Sequence, residues 1–246
     1  MSDEIFNKQL VLIGGESATG KSASLRNIRD QENTLYLNAE AGKRLPFRSK
    51  FKQAVITDPM QVPQTFKDIK TVEAIKGTKL LICDSLTFLM DMYESTRVLK
   101  AKNKMEGWSD FQQYFKELMQ VHVASANHGV IFTAHTKSEL NEATGLYQTS
   151  VPIKGALKGN GIEAYFSTVV HAKKMPLTAL EKYQSDLLHI TEDDEIVGYK
   201  HVFQTQVTKE TVGDRIRSPM GMFSRNETFM DNDAQLLLDR LNEYYN

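Results

Sequence analysis

Short, unbroken apolar runs alternate along this chain with stretches whose apolar positions recur every three or four residues. Leu10-Val11-Leu12-Ile13 is closed by Gly14-Gly15, and Thr34-Leu35-Tyr36-Leu37 runs into Asn38-Ala39-Glu40-Ala41-Gly42. Ala54-Val55-Ile56-Thr57 stops at Asp58-Pro59, Lys79-Leu80-Leu81-Ile82-Cys83 is apolar up to Asp84, and a fifth run spans Gly129 to Ala134. Runs of this length with no polar alternation predict strands buried on both faces, the habit of parallel sheets. Between them the period changes. Leu25 and Ile28 predict a short helix from Ser22 to about Arg29, and Phe66 and Ile69 one from Val62 to Ile75. Phe111, Tyr114, Phe115, Leu118, Met119 and His122 share one face of the strongest predicted helix, Phe111 to His128, which neither Gly nor Pro interrupts.

The polar, glycine-bearing stretch from Lys137 to Gly161 is too long for an ordinary connection and is expected to be a functional loop. Ala164 to Ala172 predicts another strand, and His201 to Thr208 a late, antiparallel one. Asp231 is placed to cap a final helix with the stripe Leu237, Leu238, Leu241 and Tyr244. Strand and helix alternating in this order predict one α/β domain over residues 1–246: a mostly parallel open sheet with helices on both faces.

Composition narrows the options. Lysine and arginine number 30 against 31 acids, a formal net charge of -1, so bulk positive charge cannot coat nucleic acid. Local patches would have to do it. One cysteine, Cys83, excludes a disulfide scaffold, and the 6 histidines show no metal-ligand spacing. The opening MSDEIFNKQ carries acids where a secretory signal carries bases, and no apolar run approaches the roughly 18 residues of a membrane helix. The expectation is a cytoplasmic protein without a membrane partner.

The chemistry concentrates after the first strand. Gly15-Glu16-Ser17-Ala18-Thr19-Gly20-Lys21-Ser22 matches GxxxxGK[ST] in full. Glycines let backbone N–H groups turn inward around phosphate oxygens, and a following helix would add its unpaired amides and dipole. Lys21 is expected at the terminal phosphates and Ser22 on Mg²⁺, with Ser24 added to the nucleotide-contacting set. The ligand is then ATP with Mg²⁺. Asp84, ending an apolar strand at the ligand-binding edge, is the second metal candidate. Glu40, after the second strand, is the candidate base for the attacking water, with Glu16 as its rival. His135, with Thr133, ends the fifth strand and is the candidate phosphate sensor.

These residues together resemble the RecA-like recombinase ATPases, in particular the compact phage single-strand annealing or phage nucleotide-binding proteins. LYLNAEAG resembles the family's second strand and implies a catalytic Glu40. VITDPMQVPQTFKDIK followed by KLLICDSL implies the Mg²⁺ role for Asp84. VIFTAHTK resembles the strand before the family's second DNA loop, and GALKGNGIEAYFSTVVHAKK the segment that closes that loop. The likeness runs from about Leu10 to Phe223. It implies a RecA-like P-loop NTPase core, DNA-stimulated ATP hydrolysis and phage recombination in a host cytoplasm. His135 stands where the family usually has a glutamine, and little chain precedes Leu10 for the family's N-terminal oligomerisation element. Lys209 matches a family cation that reaches ATP on the neighbouring subunit; Arg215 and Arg217 are further candidates. Phe47 or Arg44 is the candidate neighbour of adenine.

Candidate partners are single-stranded DNA, further copies of the chain as a filament or ring, and a single-strand binding protein. The candidate strand-binding segments are 97–110, with Arg97, Lys100, Lys102, Lys104 and the one tryptophan Trp108, and 137–161, with Lys137, Lys154 and Lys158. Cations beside an aromatic can neutralise phosphate and stack a base. Three rivals remain open at this level: a P-loop kinase of a small acceptor, a nucleotide-gated scaffold with little turnover, and a ring-forming helicase-like motor.

Overall fold

The computed structural model describes residues 7, 9–155 and 161–246. The chain runs β1 (Leu10–Gly15), β2 (Thr34–Asn38), β3 (Lys52–Val55), α1 (Gln61–Asp68), β4 (Leu80–Asp84), α2 (Leu86–Tyr93), α3 (Lys104–Glu117) and β5 (Gly129–His135). There follow β6 (Lys137–Asn141), β7 (Leu146–Ser150), β8 (Thr168–Pro176), α4 (Leu177–Leu180), α5 (Glu192–Val197), β9 (Tyr199–Gln204), β10 (Phe229–Asp231) and α6 (Ala234–Tyr245).

An 8-stranded sheet has the order β10-β9-β8-β1-β5-β4-β2-β3. From β8 to β3 every pairing is parallel, while β9 and β10 add on antiparallel. The chain leaves β1 for β2 across two positions that β5 and β4 fill later. The register therefore puts Gly15 opposite His135 and Asn38 opposite Asp84, so the carboxyl ends of four strands share one edge.

Both faces of the sheet are covered, which explains the unbroken apolar runs. Leu12, Leu81, Cys83 and Phe132 point to one side, where α1, α2 and α3 bring Phe66, Leu89, Phe111 and Phe115. Val11, Ile13, Ile82 and Ile131 point to the other, against Leu25, Ile28 and the α6 residues Leu237, Leu238 and Leu241. Cys83 is buried and free, as a small apolar filler.

Several expected boundaries move. The segment after the glycine-rich turn is a five-residue 3-10 turn, Ala23–Asn27, not an α-helix reaching Arg29. Ser24 Oγ donates to the Lys21 carbonyl at 2.6 Å, which takes the acceptor an α-helix needs, and Leu25 N–H turns to Ser22 O at 3.2 Å instead. α3 begins at Lys104 because Asn103 caps it, accepting from the amides of Met105 and Glu106. Much of 97–110 is thus helix, not loop.

The long polar stretch holds the hairpin β6–β7, in which Leu140 lies opposite Tyr147. β10, three residues long, is too short for its pattern to predict, and the cap of α6 is Asp233, not Asp231. Among the described residues no helix is long and apolar enough to cross a membrane.

Candidate nucleotide site

The glycine-rich turn leaves β1 at the crowded edge. A Cβ on Gly15 would lie 2.5 Å from Thr19 Oγ1 and 2.7 Å from the Ala172 carbonyl, so only glycine fits there. Gly20 has φ +95° and Ala18 φ +61°, the left-handed backbone that turns successive amides to one side. Lys21 is buried, and its Nζ folds back to donate to the carbonyls of Gly15 at 3.0 Å and Glu16 at 2.8 Å. Burial lowers this amine to about 8, against the opposing pull of Asp84 and Glu40.

Asp84 is the hub. Its Oδ2 accepts from Ser22 Oγ and from the Tyr36 hydroxyl, each at 2.8 Å, and its Oδ1 accepts from Thr133 Oγ1. The peptide between Asp84 and Ser85 is cis. Burial and the Asp84 carboxylate push the Tyr36 hydroxyl far up, so it remains a donor. Neighbouring strands therefore orient one carboxylate toward the serine of the phosphate loop.

Glu40 stands two residues beyond β2. Asn38 pins this turn, accepting from the Glu40 amide at 3.0 Å and donating to the Lys43 carbonyl at 2.7 Å. Ala41 and Gly42, at φ +52° and +75°, reverse the chain so that Lys43 Nζ reaches Glu40 Oε2 at 3.1 Å. His135 Nε2 faces Oε1 at 3.6 Å. His135 first, and Lys43 second, hold the Glu40 carboxyl down at about 2, against burial. The His135 backbone N–H donates to Thr87 Oγ1 at 3.2 Å, and the Thr136 N–H to the Gly15 carbonyl at 3.1 Å, so the end of β5 is tied to α2 and to the phosphate loop.

A cleft of about 340 Å³ joins these groups, lined by Lys21, Ser22, Tyr36, Glu40, Asp84, His135 and their neighbours. Arg44 lines it too, whereas Phe47 packs edge-on against Phe51 under the sheet edge. A larger cavity, about 400 Å³, lies under the β6–β7 hairpin and contains none of the phosphate-loop residues. Glu16 is exposed and points no carboxylate partner at the loop lysine; only its carbonyl is used.

An α/β sheet with a glycine-rich phosphate turn after its central strand, and a serine–aspartate pair at the strand ends, defines a P-loop NTPase core. The chain belongs to the AAA domain family, whose pattern matches residues 7–213. Its α/β P-loop NTPase core, a mostly parallel sheet flanked by helices, is consistent with AAA/RecA-like architecture. No curated protein matches the sequence. Among solved structures, it is similar to the flagellar accessory protein FlaH from Methanocaldococcus jannaschii. The identity is 10% over 80% of this chain and 77% of that one, with a TM-score of 0.38.

The other sequence candidates are scattered. Lys209 is exposed on a loop, Arg215 pairs with Glu163 at 3.2 Å, and Arg217 donates to the carbonyls of Ala164 and Phe166. None of the three lines the cleft of its own chain. Arg97 pairs with Asp58 at 2.6 Å, Lys137 with Glu139 at 2.7 Å, and Lys154 with Glu94. Lys104 donates to the Leu99 carbonyl, and Trp108 is half-buried against Phe111. Lys100 and Lys102 are exposed without a carboxylate partner among the described residues. Lys158 lies outside the described residues.

Sequence reasoning passed over Tyr36, Asn38, Lys43 and His201. A tyrosine inside an apolar strand, and an asparagine closing it, were the available signals for the first two. Lys43 follows the Ala41-Gly42 turn that delivers it, but His201 arrives from a strand far along the chain and has no local signature.

Proposed function

We propose that this protein is a magnesium-dependent ATPase, cleaving ATP to ADP and phosphate. One observation carries the proposal: Ser22 Oγ meets Asp84 Oδ2 at 2.8 Å in the cleft that also holds Lys21 and Glu40. The donor set fits Mg²⁺, because a hydroxyl and a carboxylate are hard oxygen ligands. Among the described residues no group of three or more His, Cys, Asp or Glu forms a metal shell of its own. That suits an ion held by one or two protein oxygens together with substrate phosphates. Bound Mg²⁺ would neutralise charge on the phosphoryl oxygens, with Ser22 and Asp84 as its protein ligands.

The chain's own residues supply the rest. Lys21 exchanges the loop carbonyls for phosphate oxygens, and the loop amides hold the chain of phosphates. Glu40, fully ionised, accepts a proton as water oxygen bonds to the terminal phosphorus and the bond to the bridging oxygen breaks. Its unusually low proton affinity suits orienting water in the ground state. His135 and Lys43 both compete for the same carboxylate, so turnover requires Glu40 to be released from at least one of them.

A finer proposal concerns use. ATP turnover controls assembly of copies of this chain on single-stranded DNA, with annealing or strand pairing as the outcome and a single-strand binding protein as a candidate partner. The likeness of LYLNAEAG and VIFTAHTK to phage recombination proteins supports it, as do Lys100 and Lys102 on the surface. Surface pairs such as Lys137–Glu139 are worth about 0–1 kcal/mol, so they can be exchanged for DNA phosphates. Lys209, Arg215 and Arg217 are then the candidates to reach a neighbour's nucleotide. ATP hydrolysis should be measured with and without single-stranded DNA while oligomer size is followed. DNA-stimulated turnover with growing assemblies is expected. Turnover without any response to DNA removes the finer proposal, and no turnover in either case removes both.

A further inference from the structure

The cleft has an outer wall that no nucleotide motif predicts. β9 lays His201 against the phosphate loop, with Nδ1 3.0 Å from the Thr19 carbonyl oxygen. A carbonyl only accepts, so Nδ1 carries the proton in this contact, and His201 also lines the cleft. Beside it stands Asn232, between β10 and α6, only 4% exposed and with Nδ2 lacking a hydrogen-bond partner among the described residues. A Cβ on Gly20 would lie 3.2 Å from His201 Nδ1 and 3.2 Å from Asn232 Oδ1, so Gly20 is seated in a notch that these two side chains form. The notch is itself anchored, because Arg26 Nη1, from the turn after the phosphate loop, donates to the Asn232 carbonyl at 2.9 Å.

We propose that His201 is a positioning residue for the phosphate loop: its Nδ1–H holds the Thr19 carbonyl away from the ligand, which leaves the following amides facing the phosphates of a nucleoside polyphosphate. The backbone at Gly20 is the reason such a brace is needed. Its left-handed φ is populated by glycine at little cost, but equally glycine is free to leave it. A hydrogen bond on the peptide just before Gly20 removes that freedom. The antiparallel strands β9 and β10 thereby acquire a role in ligand binding, although the residues of the motif lie elsewhere. The inference rests on the assignment of the loop to nucleotide phosphate.

Two measurements test it. In the wild-type protein, the two ring-nitrogen resonances of His201, assigned from the spectrum of the His201→Ala protein, should show the Nδ1–H tautomer in the neutral ring. The Nε2–H tautomer overturns the proposal. Second, titration with a fluorescent ATP analogue should show affinity falling about tenfold in His201→Ala. His201→Asn, which keeps an amide donor near the Nδ1 position, should recover most of the loss, and KM should change while kcat does not. Wild-type affinity in His201→Ala, or no recovery in a folded His201→Asn, overturns it.

Lys21→Ala, measured alongside, separates the two possible failures. If Lys21→Ala binds nucleotide normally, the phosphate assignment itself falls. If Lys21→Ala loses binding and His201→Ala does not, only the role of His201 falls. Should His201→Ala fail to fold, assignment by the His201→Asn spectrum leaves the tautomer measurement to decide.

Discussion

Glu40 and His135 face each other across 3.6 Å, at the ends of strands that β4 separates in the sheet. The candidate base and the candidate sensor are therefore direct neighbours, and whatever moves one ring or carboxylate is felt by the other. Replacing Glu40 by Gln should lower ATP turnover by about 10²- to 10⁴-fold while nucleotide binding persists. Single-turnover hydrolysis beside a binding titration checks this, and normal turnover would transfer the water-activating role elsewhere.

The same contact sets a pH dependence. His135, and after it Lys43, hold the Glu40 carboxyl at about 2, below its ordinary 4.5. Stability from these contacts is thus present above about 4.5 and lost as pH falls through 2. For turnover, Glu40 stays ionised across the accessible acid range. His135→Ala removes the larger stabilising contact, so the Glu40 carboxyl should rise toward its ordinary 4.5 and bring an acid limb into the accessible pH–rate profile. An acid range as flat as that of the wild-type protein would show that His135 does not hold Glu40 down.

Lys21 works in the opposite direction. Its buried ammonium sits at about 8, below the ordinary 10.5, so the charged form costs stability below pH 8, and the cost fades as pH rises toward 10.5. Lys21→Met should therefore raise the thermal midpoint at neutral pH while abolishing nucleotide binding. In the wild-type protein, polyphosphate favours the charged amine, so binding near pH 8 should take up protons. Calorimetry in buffers of different ionisation enthalpy measures that uptake.

Tyr36 should act through Asp84. Tyr36→Phe keeps the ring packed against Phe51 and removes only the 2.8 Å donor to Asp84 Oδ2. The loss of one such bond, about 1 kcal/mol net, should raise the Mg²⁺ concentration for half-maximal nucleotide binding roughly fivefold. An unchanged Mg²⁺ titration would leave Ser22 and Thr133 as sufficient supports.

The helical face carries the stability. Phe115 is fully buried among Tyr93, Phe111 and Tyr114, and truncation to Ala should cost about 3–5 kcal/mol. Urea unfolding measures it.

How legible was all this in the chain itself? The parallel strands were, because burial on both faces leaves runs such as Leu80–Cys83 with no polar residue to confuse the period. Lys21, Ser22 and Asp84 were, because motif and strand end coincide. The 3-10 turn was not, since it turns on which carbonyl the Ser24 hydroxyl takes. The hairpin β6–β7 was hidden because neither of its strands carries an apolar face, and Asn103 gave too small a signal against the run of lysines around it. Lys43 and His201 were out of reach for a different reason: their positions depend on a left-handed turn and on an antiparallel addition to the sheet. Those are facts of three-dimensional closure that no local window contains.

The hydrogen bond between Ser22 and Asp84 joins residues 62 positions apart, and β5 and β9 must be in place before His135 and His201 can complete the walls. Half-formed chains therefore lack the completed cleft. If the proposed ATP site is right, nucleotide added during refolding would select the finished sheet alone, deepening its free-energy well by an amount that grows with the logarithm of ligand concentration.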